Sequence, residues 1–293
     1  MDERKKKKKN IRLRIQLLSC MLHNGYIKGL FTMHIYQGTL KNFCVPGLNC
    51  YSCPLSLGAC PIGAMQAVSA SRNFHLAFYV WGVLVMIGGV AGRVVCGFLC
   101  PFGLFQDLLF RIPFIKKIHS FRIDKYLRKL KYLVLAVFVI LLPMFVVDFM
   151  GQGAPFFCKF ICPVGTLEGG ILLVLFNRVL RKTVGFLYAY KVGILCITMF
   201  FSIVIFRPFC KYVCPLGAIY GLFNPISLYR YKVDENNCIH CGKCAEVCEM
   251  QLDPIKNINS AECIRCAKCK DSCPVGAIHT QFLGRKCKGR KEV

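Results

Sequence analysis

Cys238-Ile239-His240-Cys241-Gly242-Lys243-Cys244-Ala245-Glu246-Val247-Cys248 and Cys263-Ile264-Arg265-Cys266-Ala267-Lys268-Cys269-Lys270-Asp271-Ser272-Cys273-Pro274 repeat one rhythm, with cysteines separated by two, two and three residues. Three thiolates so spaced on a tight loop cap three corners of one [4Fe–4S] cubane, and the fourth, opening a helix, points to the other cluster. Cys238, Cys241, Cys244 and Cys273 then hold one cluster, and Cys263, Cys266, Cys269 and Cys248 the other. A pair of zinc ribbons needs only two Cys-x2-Cys knuckles, and does not require this rhythm twice over. Cys248 is followed by Glu249 rather than proline, a departure that leaves the ligand in place.

The rhythm is that of the bacterial two-cluster ferredoxins. It predicts an α+β two-cluster domain over 229–293, beginning where the sequence turns polar and cysteine-dense at Tyr229. Upstream the chain is different in kind. Apolar residues make up 55% of the whole and mean hydropathy is +0.49, with uncharged runs at Leu133 to Val147 and Ile194 to Phe206. Such runs are candidates for membrane helices. The expectation is an α-helical membrane bundle over 11–228, with spans at Ile11–Leu40, Phe74–Val95, Lys131–Met150 and Phe186–Phe206. Leu167–Phe176 is too short to cross and reads as re-entrant or interfacial.

The 39 Lys and Arg against 14 Asp and Glu give +25. Cluster-bound thiolates offset part of this, and the lysines gather in the 1–10 tail and the loop from Arg111 to Lys131. That placement suits an anionic cytoplasmic membrane face better than nucleic acid. With four spans, the positive-inside rule puts both termini on the cytoplasmic side. Arg178, Arg181 and Lys182 would then lie outside, which strains the topology.

Three further pairs share a pattern: Cys96/Cys100, Cys158/Cys162 and Cys210/Cys214, each Cys-x3-Cys-Pro-x-Gly. Cys60-Pro61-Ile62-Gly63 echoes the second half, below Cys44, Cys50 and Cys53. Proline suits the first helical turn, so the last cysteine of each motif sits at a helix start, where a thiolate is stabilised. One such pair could be small residues packing helices; the repetition favours ligands. Cys20, Cys196 and Cys287 have no partner at ligand spacing. The metal ligands upstream are therefore expected among Cys50, Cys53, Cys60, Cys96, Cys100, Cys158, Cys162, Cys210 and Cys214, with their pairing open.

At this point the chain resembles the membrane polyferredoxins of the NapH/NosR type, over almost all its length after residue 40. Cys96/Cys100 and Cys210/Cys214 match the two usual membrane motifs of that family; Cys50/Cys53/Cys60 and Cys158/Cys162 go beyond them and suggest a distinct subgroup. The resemblance implies electron transfer at the inner membrane and, in some members, oxidation of quinol. A role in nitrate or nitrous oxide metabolism does not carry over.

The expected function is an electron relay between a cytoplasmic redox protein and an acceptor in or across the membrane. It would use two [4Fe–4S] clusters in the C-terminal domain and two more in the membrane part. The alternatives are a quinol dehydrogenase subunit, with menaquinone or another quinone as partner, and a redox-sensing or assembly module. No catalytic residue is assigned, and an electron carrier is favoured over a catalyst. Proton handling near the clusters could fall only to Asp107, Asp148, Glu168 or His75, each weighed against a solvated interfacial role.

Overall fold

A computed structural model describes residues 2–32, 34–70, 78–113, 117–118, 123–147, 153–182 and 184–286. Asp148, His75, Cys287, Lys116 and Arg122 lie outside the described residues, as do the ends of the expected spans at 74–77 and 148–150. The described chain is mostly helical and ends in a small antiparallel sheet, ordered β1 (Tyr229–Val233), β2 (Ile278–Phe282), β3 (Arg285–Lys286). Tyr231 stands opposite Thr280 in the first pairing, and Phe282 opposite Arg285 in the second.

Among the described residues one helix, Phe186–Val204, is long and apolar enough to cross a membrane; Phe78–Ala91 and Thr166–Phe176 are apolar but shorter. Gly92, at φ +55°, ends the helix Phe78–Ala91, and Val94 opens a separate one. The stretch expected to span from Lys131 is helical from Asp124 to Phe145, with π-type hydrogen bonding over Leu135–Leu141 and Pro143 just beyond. Phe186–Val204 stops where Ile205 becomes extended, two residues short of a left-handed Arg207.

The expected span Ile11–Leu40 is not a single helix. The helix Asp2–His23 ends there, a shorter one runs Ile27–Thr32, and a 3-10 turn follows at Thr39–Asn42. Its first helix also packs laterally through polar residues. Gln16 and Ser19 are buried, donating to Gly97 O at 3.1 Å and Leu99 O at 2.9 Å. A helix whose polar side chains must meet the backbone of a cysteine motif lies along that motif.

The main hydrophobic core cluster is shared by the two halves of the chain. Ile62, Phe102, Phe157 and Tyr220 from the helical part share it with Met250 and Ile264 from the cysteine-rich part. The contact is close: a Cβ on Gly97 would lie 2.5 Å from Ile264 O, so only glycine fits where the two parts touch.

Candidate iron–sulfur centres

The upstream Cys-Pro-x-Gly motifs open helices, whereas Cys53-Pro54 lies in a turn. Cys60, Cys100 and Cys214 are N-cap residues with extended backbone, and proline fills the first turn, where its missing N–H goes unneeded. Cys162 has the same extended backbone before Pro163. The first cysteine of each Cys-x3-Cys pair sits in a short helical segment just before, at Val94–Phe98, Phe157–Ile161 and Pro208–Tyr212.

The motifs meet in pairs that spacing alone left open. Cys96, Cys100, Cys210 and Cys214 are all buried and lie within electrostatic reach of one another. Cys50, Cys60, Cys158 and Cys162 line a cavity of about 760 Å³, with Cys44 on the same wall. Cys53 is not on that wall; its thiol is buried 3.9 Å from Asn24 Oδ1. In the C-terminal part Cys238, Cys241, Cys244 and Cys273 ring one small cavity, and Cys248, Cys263, Cys266 and Cys269 ring another.

The surroundings fit iron–sulfur clusters. The wall of the cavity of about 760 Å³ carries thiols, apolar groups, neutral polar side chains including Asn42, Asn49, Tyr51 and Ser52, and Lys41 and Lys191, with no carboxylate or imidazole among its described residues. N–H groups are aimed at sulfur: Gly217 N at Cys214 Sγ and Ala277 N at Cys273 Sγ, each 3.3 Å. As free thiols, Cys158 and Cys269 are pushed up to about 12, by burial first and by a neighbouring cysteine second. Loading thiolate-bound iron therefore releases protons.

Two arginines that the sequence reading passed over hold the Cys96/Cys210 quartet together. Each stands three residues before the first cysteine of its motif, Arg93 before Cys96 and Arg207 before Cys210, and each is fully buried. They cross: Arg93 Nη2 donates to Cys210 O at 3.2 Å, and Arg207 Nη1 donates to Cys96 O. The glycine of each Cys-Pro-x-Gly makes room for the opposite guanidinium. A Cβ on Gly103 would stand 3.2 Å from Arg207 Nη1, and one on Gly217 3.3 Å from Arg93 Nη2. The two repeats are thus related by an approximate two-fold exchange of contacts.

The carboxylates break that symmetry. Asp107 takes Arg207 in a fork, Nε to Oδ1 and Nη2 to Oδ2, both at 2.6 Å, and also accepts from Arg12 and Gln16. It is therefore a buried structural anion, and the solvated interfacial alternative does not describe it. The matching place after Cys214 is Gly221, and Arg93 instead pairs at 3.1 Å with Glu262, the residue before Cys263. Glu262 also binds the buried Lys131 at 2.5 Å, so Lys131 is no loop charge. Glu168, mostly buried, accepts from Cys50 N at 2.7 Å, and burial pushes its carboxyl up to about 7.

Two glutamines were also missed. Gln66 and Gln106 each stand six residues after the cysteine of a Cys-Pro-x-Gly, and both are fully buried. Gln66 Nε2 donates to Cys158 Sγ at 3.2 Å and Gln106 Nε2 to Cys210 Sγ at 3.0 Å. The signal in the sequence was an extended repeat, Cys-Pro-x-Gly-x-x-Gln, read only as far as its glycine.

The quartets follow one another in space. Cys248 carries the first cysteine loop into the second cavity. That cavity adjoins the Cys96/Cys210 quartet through Gly97 against Ile264, and through Glu262 on Arg93. The next step is as short: a Cβ on Gly47 would lie 2.9 Å from Cys100 Cα. Tyr220, between Cys96 and Cys100 on one side and Cys44 and Cys60 on the other, donates to Pro46 O at 2.9 Å.

A 4Fe-4S binding domain model matches residues 73–122, 132–186 and 192–231, each span enclosing one Cys-x3-Cys-Pro motif. Two further 4Fe-4S binding domain models match 232–252 and 256–279. Two uncharacterized proteins of Methanocaldococcus jannaschii are each 30% identical to the chain. One match spans 67% of both chains, the other 70% of this chain and 78% of the relative. The methylamine utilization ferredoxin-type protein MauN of Methylorubrum extorquens is 29% identical over 54% of this chain and 48% of its own. No solved structure matches the chain. With cysteine quartets in both halves and family matches over both, the chain belongs to the 4Fe-4S-binding, ferredoxin-type family of iron–sulfur electron-transport proteins that also includes NapH and NosR.

Proposed function

We propose that the chain is a membrane-bound electron relay of the inner membrane. It would take electrons from, or give them to, a cytoplasmic redox protein at the C-terminal domain, 229–293, and exchange them with a membrane acceptor at the other end. The observation that carries this reading is the file of four cysteine quartets, each adjoining the next. The ligands assigned are Cys238, Cys241, Cys244 and Cys273; Cys248, Cys263, Cys266 and Cys269; Cys96, Cys100, Cys210 and Cys214; and Cys50, Cys60, Cys158 and Cys162. Bound [4Fe–4S] clusters supply one-electron centres. The protein's own part is to place the thiols, exclude water and fix the spacing. Arg93, Arg207 and Tyr220 do so by tying neighbouring motifs together.

Membrane insertion is supported by what the helices leave uncovered. Phe186, Ile197 and Phe200 on Phe186–Val204, Phe78 and Met86 on Phe78–Ala91, and Leu133 and Phe145 on the 124–145 stretch are exposed. Large apolar side chains displayed on several helices suit lipid. A membrane crossing between Arg111 and Val184 is kept, whereas the first of the four expected spans, broken after His23, is not carried over; reporter fusions after Arg111 and after Val184 should report opposite sides.

The relay itself is tested on the full chain in lipid nanodiscs, reduced by a small ferredoxin too large to enter the bilayer. The wild type should reduce all its clusters, whereas Cys214→Ser should confine reduction to the C-terminal pair. Equal reduction of the inner centres in both proteins would contradict the series order. A quinol oxidoreductase is the second reading, favoured by the cavity of about 760 Å³ beside Cys158, more room than four thiols and a cubane use. Reoxidation of the reduced protein by a menaquinone analogue, slowed by Leu173→Trp on the cavity wall, would promote it over the simple relay.

A further inference from the structure

We infer that Gln66 and Gln106 are positioning residues that set the reduction potentials of the two inner centres, by donating an amide N–H to one ligand sulfur at each. The inference rests on the assignment of Cys158 and Cys210 as cluster ligands, and goes beyond it by naming what tunes those clusters.

The same device is built twice. Gln66 lies on the helix opened by Cys60 and Gln106 on the helix opened by Cys100. Each side chain turns back so that Nε2 also faces the carbonyl four residues earlier, Ile62 O at 3.2 Å and Phe102 O at 3.5 Å. From there Nε2 reaches the first cysteine of the opposing Cys-x3-Cys pair, Cys158 or Cys210. Neither target is in the glutamine's own motif, so the contact forms only when the two motifs close on one site.

Which end of the amide faces sulfur is decided by its neighbours. At Gln66 the other end, Oε1, accepts from Phe157 N at 2.9 Å, which fixes the orientation independently of the thiol. At Gln106 the Oε1 atom is buried without a partner. Turning that amide over would set oxygen against Phe102 O and against a thiolate. Leaving a buried acceptor unpaired is costly, and the fold accepts this cost to keep N–H on sulfur.

The device is one-sided. At the corresponding positions after Cys162 and Cys214 stand Glu168 and Tyr220, which meet Cys50 N and Pro46 O and donate to no cysteine sulfur in these contacts. Each inner centre therefore receives one glutamine donor, from one of its two halves. Hydrogen bonds to cluster sulfurs are one of the levers on cluster potential. A donor stabilises the more negative, reduced state more than the oxidised one, so each glutamine raises the potential of its own centre.

The test uses the full chain, purified anaerobically, with redox titrations followed by electron paramagnetic resonance. Gln106→Met keeps length and bulk and removes the donor. It should lower the potential of the Cys96/Cys210 centre by about tenfold in the ratio of reduced to oxidised forms, ~59 mV for one electron, and leave the others unmoved. Gln66→Met should do the same to the Cys50/Cys158 centre alone. Gln106→Glu, an acceptor of the same shape, should lower the potential further, while Gln106→His should restore part of it. In wild-type protein labelled with ¹⁵N in the glutamine side-chain amide, pulsed resonance of each reduced inner centre should show a nitrogen coupling. Unchanged potentials in the methionine variants at full iron content would overturn the inference, and so would absence of the ¹⁵N coupling in the unmutated protein. Missing inner centres in the wild type would instead refute the ligand assignment on which it rests.

Discussion

Asp107 shows how single residues bear the strain of burying so much charge. Burial alone would raise its carboxyl, but the Arg207 fork and Arg12 pull it below the ordinary aspartate value. A depressed carboxylate favours the folded state above its unfolded pKa, near 4, and that contribution is lost as pH falls through the lower folded value. Stability should therefore be flat from neutrality to about pH 4 on this account and fall below it. Asp107→Asn should flatten that acid limb and cost about 3–5 kcal/mol at neutral pH, because Arg207 is left buried beside a neutral group. Unfolding followed by the fluorescence of Trp81, the chain's single tryptophan, measures both. A variant as stable as the wild type at pH 7 would remove Asp107 from its place as the anchor of Arg207. The same residue also shows what sequence reasoning lacked. Its distance from Cys100 was legible, but Arg207, a hundred positions on, was not, so a buried anion read as an interfacial one.

At the scale of elements, the Cys-Pro turns were legible because proline and cysteine each impose their own local geometry, and Cys60, Cys100 and Cys214 cap helices. The helix Asp2–His23 was not. Its apolar residues suggested a span, while Gln16 and Ser19, which decide its course, bond to a motif about eighty residues away. The docking of the C-terminal part onto the helices was equally hidden, since nothing local marks Glu262 as the partner of Arg93 and Lys131. That joint makes two predictions. Gly97→Ala should force its Cβ against Ile264 O and loosen the joint, measured as faster proteolysis between Asn224 and Asp234 with both C-terminal clusters retained. Glu262→Gln should leave Arg93 and Lys131 uncompensated and slow electron transfer from the C-terminal clusters to the inner ones at least severalfold, measured after rapid photoreduction. Transfer at the wild-type rate would mean that the ion pairs do not hold the two halves in register.

For the whole molecule, the cysteine count and its rhythm announced clusters in both halves, but only folding could say which motifs share a site, because partners such as Cys60 and Cys162 are far apart in the chain. The resulting picture is a file of centres within one packed body, its core running unbroken from Ile62 to Ile264. That picture stands or falls on stoichiometry. Four cysteine quartets require about sixteen irons and about sixteen acid-labile sulfides per chain. The measurement is iron and sulfide analysis of the full chain, purified anaerobically and reconstituted, beside a variant carrying Cys100→Ser and Cys162→Ser. The account predicts about sixteen irons in the wild type and about eight in the variant; about eight in both would contradict it, leaving the upstream cysteines as packing residues.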